Sequence, residues 1–585
     1  MWKMPIKDVK ELYPLWERWS KFLRPFARHW AALVSLGLLV MFLSLVSPLL
    51  IKAIIDEAIA KKDIAGFFVI SGIIAGVYLA GEISARFKGL LFEYARARTH
   101  LNISRRVFGH IHKLSFSWFQ DKSTGEHIYK ITRDIERSTD FVISLLPQFF
   151  QIGARMFLTT VIVVLMDWKM AAFILISVPL IYIPAYCLSR KMFRASGRII
   201  DISQTRFHRL QEIFSHVLMV KVFGTERLSM KGFRENLTDG IRAEMRMARM
   251  DAKGVFFTDL ANKGAAGLVI CYGLFRVIKG DMSLGSLSAI SAYLFQLSGM
   301  HAELGGILHS LMPGWLSLRR VNCILDEKPV IADKPLARDI LISSAQIRFD
   351  GVSFGYDPGK DVLRSLSFSI EPASRIALAG YSGCGKTTLI YLLLRLYQPR
   401  QGRIFVDNRD ISDFKINFYK RQVGVALQEH YLWNDTIENN IRYSYPQASM
   451  DEVMEAARIS GVDEFTRELP KGFATVIGEN AVMLSEGQKQ KIAIARALVK
   501  RPKILVFDEA MSSMDSASEN RIISAIEERM DEVTLIIISH RLSIVMKMDT
   551  VCYLKSPQDL VIDAPKRLLA NNEGFRALFS GQDKL

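Results

Sequence analysis

The chain has 585 residues, half of them hydrophobic, and a net charge of +17. That length is too great for one ordinary domain, and a mean hydropathy of +0.17 is high for a soluble protein, so membrane spans are expected. The excess Lys and Arg flank apolar segments instead of forming basic arms or aromatic platforms, which argues against a nucleic-acid binder and for contact with anionic headgroups.

The first 29 residues are charged and aromatic, with no apolar run ahead of a small-residue cleavage site. They read as an amphipathic segment on the inner membrane surface, not as a signal peptide. A helix needs about 20 apolar residues to cross a bilayer core. Residues 30–55, 67–91, 141–166, 170–188, 255–278 and 284–312 meet that need, so six spans are expected within a membrane domain over 30–325. Met166-Asp167-Trp168-Lys169 and Lys279-Gly280-Asp281 read as tight turns. The long connections, 86–140 and 189–253, are rich in Lys and Arg and are placed in the cytoplasm, together with both termini. Unstructured stretches that long are uncommon. They are therefore expected to be helical extensions that reverse near Gly125 and within 209–226, where they could touch an ATPase domain.

Charges inside spans need partners. Glu82 with Arg86, and Asp259 with Lys263, are spaced to neutralise each other on one helix face. Arg155 has no such neighbour, and an unpaired mid-span Arg costs about 2.5–3.5 kcal/mol on insertion scales. It is expected either to pair with another helix or to attract an anionic headgroup or substrate. Lys263, His301, Glu303 and His309 are further cavity candidates.

Residues 326–344 carry prolines and mixed charge and read as a linker; 345–585 then read as a nucleotide-binding domain. Ile347, Phe349, Val352 and Phe354 alternate as strand residues do. GYSGCGKT at 380–387 lies between an apolar strand and a helix, the setting a phosphate-binding loop requires. Gly380, Gly383 and Gly385 let the backbone curl so that its N–H groups face phosphate, Lys386 reaches the outer phosphates, and Thr387 can ligate Mg²⁺. ILVFDE at 504–509 is a buried strand ending in Asp508, a metal holder, and Glu509, which can polarise the attacking water. LIIIS before His540 repeats that design and places His540 to sense the outer phosphate. The cysteines, Cys187, Cys271, Cys323, Cys384 and Cys552, are scattered without a CxxC pair, so neither a disulfide framework nor a zinc site is expected.

These motifs resemble the ABC transporter superfamily, in the form of an exporter half-transporter, over nearly the whole chain. The resemblance implies an all-α membrane domain of six helices with long cytoplasmic extensions, followed by an α/β P-loop ATPase domain with a β subdomain and a helical subdomain. It implies that Tyr356 stacks on adenine and that Gly380, Tyr381, Ser382, Gly383, Cys384, Gly385, Lys386, Thr387 and Thr388 hold the phosphates. Gln428 is the implied Mg²⁺ and γ-phosphate sensor, so the metal set is Thr387, Gln428 and Asp508. Glu509 and His540 are the implied catalytic pair, and residues 512–515 the loop after it. Ser485, Gly487 and Gln488 belong to a signature that serves ATP bound by another copy. ATP binding would close two copies head to tail, and hydrolysis would reopen them.

The signature departs from the family's usual LSGGQ, because Glu486 puts a carboxylate where glycine stands. It is either tolerated in a homodimer, which is favoured, or marks one half of a heterodimer with unequal sites. The expected function is ATP-driven export or flipping of an amphipathic lipid, lipid-linked compound, drug or peptide, outward across a bacterial inner membrane and with no nucleic acid involved. An ATP-gated or regulatory membrane protein is the alternative, and the presence of both Glu509 and His540 argues against it.

Overall fold

The computed structural model describes residues 17–120, 128, 130–172, 202, 205–206, 209–357, 359–478 and 484–580. The chain divides into two compact units, one of Met1–Leu114 and Trp118–Lys328, the other of Ser115–Ser117 and Pro329–Leu585.

The first unit is helical. Its long helices are α1 (Ala27–Ala53), α2 (Ile64–Ile111), α3 (Leu146–Met166), α4 (Glu226–Ile278) and α5 (Leu284–Asp326). At 1.5 Å per residue α2 is about 72 Å long, more than twice a bilayer core, so it must continue beyond the membrane. Among the described residues, three segments are long and apolar enough to cross a membrane: Glu17–Ile59, Ile64–Ile111 and Ile131–Met166. The expected fourth span falls mostly on residues outside the description, as does the expected reversal at Gly125. The expected fifth and sixth spans lie on the continuous helices α4 and α5.

The tight turns form for local reasons. After Met166 the backbone of Asp167 is extended, and its carboxylate accepts from the N–H groups of Lys169 and Met170, both at 3.0 Å. The same carboxylate pairs with Arg276 at the end of α4. Gly280 turns the chain at φ +78°, and Ser283 then caps α5 by accepting from Ser286 N–H. The second expected reversal is also present: a short helix, Val217–Val222, ends at Gly224 with φ +60° before α4 begins. The core of this unit gathers Leu45, Ile152, Val163, Val269, Ile290 and Tyr293. The buried Tyr293 hydroxyl donates to the Leu45 carbonyl, and Gln296 donates to Ser44 O at 3.1 Å.

The second unit is α/β. A six-stranded sheet runs β12-β11-β3-β10-β9-β6, and all its pairs are parallel except β12 (Leu560–Asp563) with β11 (Thr550–Leu554). Its central strands are β3 (Arg375–Gly380), β9 (Ile504–Asp508) and β10 (Thr534–Ile538); β6 (Val423–Ala426) forms the edge. Every residue of β9 and β10 is buried, which is why both read as continuous apolar runs. A four-stranded antiparallel sheet, in the order β2 (Leu363–Ile370), β1, β4 (Gln401–Val406) and β5 (Arg409–Asp410), makes the β subdomain. In it β1 (Ile347–Phe354) buries Ile347, Phe349, Val352 and Phe354, the residues whose alternation predicted it. Helices at 450–460 and 486–498 pack in a separate apolar core with β9 and β10 side chains such as Leu505, Phe507 and Ile537.

Candidate active site

Register places the site. Strand β10 lies between β3 and β9, and Ile538 is level with Leu378 on one side and Asp508 on the other. The loops leaving all three strands therefore emerge together at one sheet edge, where ligands bind in open parallel sheets. They carry residues 380–387, 508–509 and 540.

The loop after β3 curls as expected, with Gly380, Gly383 and Gly385 at φ +153°, +82° and +106°. A Cβ on Gly380 would lie 2.5 Å from Leu554 O and 2.7 Å from Cys384 Sγ, so no larger residue fits there. The loop feeds α6 (Lys386–Leu393), whose N-terminus adds a positive end to the inward N–H groups. The Lys386 ammonium is buried and donates to Gly380 O at 2.8 Å and Tyr381 O at 3.0 Å. This folds the charge into the loop's own concavity. Thr388 is buried under the loop and shares a 3.0 Å hydrogen bond with the Tyr356 hydroxyl. The Tyr356 ring rests edge-on against Phe354 and Tyr397 and is nearly half exposed, so it offers surface for stacking. Tyr381 and Ser382 are exposed at the loop tip, and Cys384 is half-buried.

Asp508 ends β9 with its side chain beside the Thr387 hydroxyl. Burial, then the adjacent Glu509 charge, hold its carboxyl above the usual carboxylate range. A cation placed there would relieve both effects, and the oxygen donors of Asp508, Thr387 and Gln428 suit Mg²⁺, which binds few protein ligands and keeps waters. Glu509 is the focus of the site. Gln428 Nε2 donates to its Oε2 at 3.0 Å, and His540 Nε2 lies 3.0 Å from its Oε1. Its backbone sits at φ +52°, a left-handed conformation that costs a non-glycine residue about 1–3 kcal/mol. The Glu509 N–H donates to Ile538 O at 3.1 Å and holds this turn against β10.

Ser485 caps α7 (Glu486–Leu498) in a reciprocal box: its hydroxyl accepts from Gln488 N–H, and Gln488 Oε1 accepts from Ser485 N–H at 2.9 Å. Gly487 leaves little room, since a Cβ would lie 3.3 Å from Ser513 O. Glu486 points to its own helix, where its Oε1 meets Lys489 Nζ at 2.7 Å. That contact, first of all, holds its carboxyl below the ordinary value. Among the described hydrogen bonds and ion pairs, none joins residues 484–488 to the phosphate loop of the same chain.

The structure thus links Lys386, Thr387, Asp508, Gln428, Glu509 and His540, and leaves Ser485, Gly487 and Gln488 apart. Sequence reasoning missed the residues that shape the loop at 512–515. Gln490 donates to Ser512 Oγ and accepts from Ser513 N–H, while Arg541 donates to Ser512 O and Met514 O and pairs with the buried Glu519. Asp515 caps α8 (Ser516–Arg529) by accepting from Ser518 N–H at 2.6 Å. The available signal was position: Gln490 lies two residues past the signature and Arg541 follows His540. In the first unit, Glu82 and Arg86 pair at 2.9 Å as expected, whereas no ion pair joins Asp259 to Lys263. Both of the latter are exposed on α4.

Comparison with known proteins bears on both units. The family model of the ABC transporter transmembrane region matches residues 30–301, and the ABC transporter family model matches 363–512. An ATP-dependent lipid A-core flippase of Syntrophus aciditrophicus is 29% identical, over 97% of this chain and 95% of that protein. A fatty acid ABC transporter ATP-binding/permease protein of Mycobacterium bovis is 31% identical, over 82% of this chain and 76% of its own length. A solved bacterial Atm1-family ABC exporter with ATP bound superposes with a TM-score of 0.85 at 25% identity, over 96% of this chain and 99% of that one.

Proposed function

The chain belongs to the ABC transporter family as an exporter, an ATPase whose hydrolysis drives transport, and from that premise we propose roles for its residues, its partner and its substrate. Lys386 and the N–H groups of 380–388 bind the phosphates, and Tyr356 stacks on the base. Glu509 polarises the attacking water. Its carboxylate is held on both oxygens, by Gln428 and His540, and this is the observation that carries the reading. A carboxylate so fixed keeps one orientation toward the incoming phosphate, and positioning is most of what phosphoryl transfer asks of a protein. Thr387, Asp508 and Gln428 would hold Mg²⁺, which when bound offsets charge on the phosphate oxygens.

Two copies of this chain complete two sites, each using Ser485, Gly487 and Gln488 of the facing copy. The separation of those residues from their own phosphate loop supports this. Six membrane helices in a bacterial inner membrane, with both termini in the cytoplasm, then alternate between inward-facing and outward-facing states. The cargo is an amphipathic molecule, in keeping with the lipid A-core and fatty acid named for the relatives. The test is ATP-dependent uptake of a fluorescent fatty acid into inside-out vesicles. Uptake against a gradient that Glu509→Gln abolishes is expected. Uptake that survives the substitution, or only dissipates a gradient, would refute the reading.

A further inference from the structure

Three helices of the membrane unit meet around a group of polar atoms. Lys88 on α2 donates from Nζ to Gln151 Oε1 on α3 at 3.2 Å. Gly37 on α1 faces both: a Cβ there would lie 3.4 Å from Gln151 Nε2 and 3.6 Å from Lys88 Nζ. Arg155 stands one turn beyond Gln151 on the same face of α3, within electrostatic reach of Lys88. It is 11 residues, about 16 Å, from the end of α3 at Met166, which is near the middle of a core about 30 Å thick. Its Nε is buried and has no hydrogen-bond partner.

Among the described residues no ion pair offsets these two cations, and α1 and α3 contain no Asp or Glu. The nearby acids are taken, Glu82 by Arg86, and Glu93 and Asp140 by Arg96. The segment from 168 to 200 has no Asp or Glu in its sequence, so its residues cannot supply one. Arg155 at this depth, with a second cation beside it and no acid paired to either, is a poor structural device and a good receptor for a negative group.

We propose that Lys88, Gln151 and Arg155 form a subsite for the phosphate or carboxylate headgroup of an amphipathic cargo. The proposal rests on the export reading and narrows the cargo to anionic amphiphiles. The two cations supply charge, the amide fixes the Lys88 ammonium, and the buried Gly37 lets α1 pack close against both side chains.

The test is equilibrium binding to the full chain in phosphatidylcholine nanodiscs, without nucleotide, using dodecyl phosphate, the uncharged dodecyl maltoside and inorganic phosphate as probes. Dodecyl phosphate should bind at least tenfold more tightly than dodecyl maltoside. Lys88→Met and Arg155→Met should each remove most of that preference, while Lys88→Arg and Arg155→Lys retain it. If the Met variants fail to assemble, Lys88→Gln and Arg155→Gln carry the same comparison. Equal binding of the two detergents, or unchanged binding by the neutral variants, would overturn the subsite. Competition by inorganic phosphate as strong as that by dodecyl phosphate would overturn the lipid assignment. Because binding is read without turnover, Glu509→Gln should bind dodecyl phosphate as the native chain does. A failure of vesicle uptake with this binding intact would count against the export reading alone.

Discussion

Glu486 shows how one extra charge is accommodated. A carboxylate in the signature should repel the terminal phosphate held by a facing copy, but Lys489 draws it back to its own helix. The two side chains act as one neutral unit in the proposed dimer, which favours the homodimer. Lys489→Met should therefore raise the KM for ATP several-fold. In a Glu486→Gly background the same substitution should change it less than about twofold, a coupling that a double-mutant cycle of ATPase assays reads directly. Additive effects would show that Lys489 acts elsewhere. Asp508 gives the opposite balance of stability and function. Its raised pKa means that ionising it costs the folded state: the penalty is absent below the unfolded value, near 3.9, and is present once pH rises through the folded value. Asp508→Asn should thus raise the melting temperature of the nucleotide-free protein at pH 7, and by more than it does at pH 4, while lowering ATP hydrolysis by about 10²-fold. Cys384 is half-buried in the phosphate loop, 3.9 Å from Lys386 Nζ. Alkylation should block nucleotide binding by intrusion, with ATP protecting and Cys384→Ala resistant.

At the level of elements, the same cap serves two ends. Ser449 and Ser485 each close a reciprocal capping box, with Glu452 and Gln488. Replacing either by Ala should cost about 1 kcal/mol of stability. Only Ser485→Ala should also depress ATP hydrolysis, by tenfold or more, because only that hydroxyl is proposed to face a nucleotide. Equal losses of activity from both would reduce Ser485 to a structural cap. The strands and loops of this site were legible because continuous apolar runs end in the chemistry: ILVFD in Asp508, TLIII two residues before His540. The left-handed turn at Glu509 was not legible, since nothing in a Glu side chain announces φ +52°. Nor were the Gln490 and Arg541 bonds that shape 512–515, which join residues far apart in sequence. In the membrane unit, Arg155 stood out as unpaired, but its neighbour Lys88 lay hidden in a different helix. The partnership of Asp259 and Lys263 was a correct spacing without a contact.

For the whole molecule, the central claim is that each ATP site is shared between two copies of this chain. Neither the phosphate loop nor the signature can then work within one copy, and the defects of two different variants can complement each other. The direct measurement is ATP hydrolysis in nanodiscs by Lys386→Ala, by Ser485→Arg, and by the two chains purified together. Each variant alone leaves both sites broken. A mixed pair gathers both lesions into one site and leaves the other intact. Half the pairs are mixed and each has one intact site, so recovery up to about a quarter of native activity is predicted from two near-inactive proteins. A mixture no more active than its components would contradict the account.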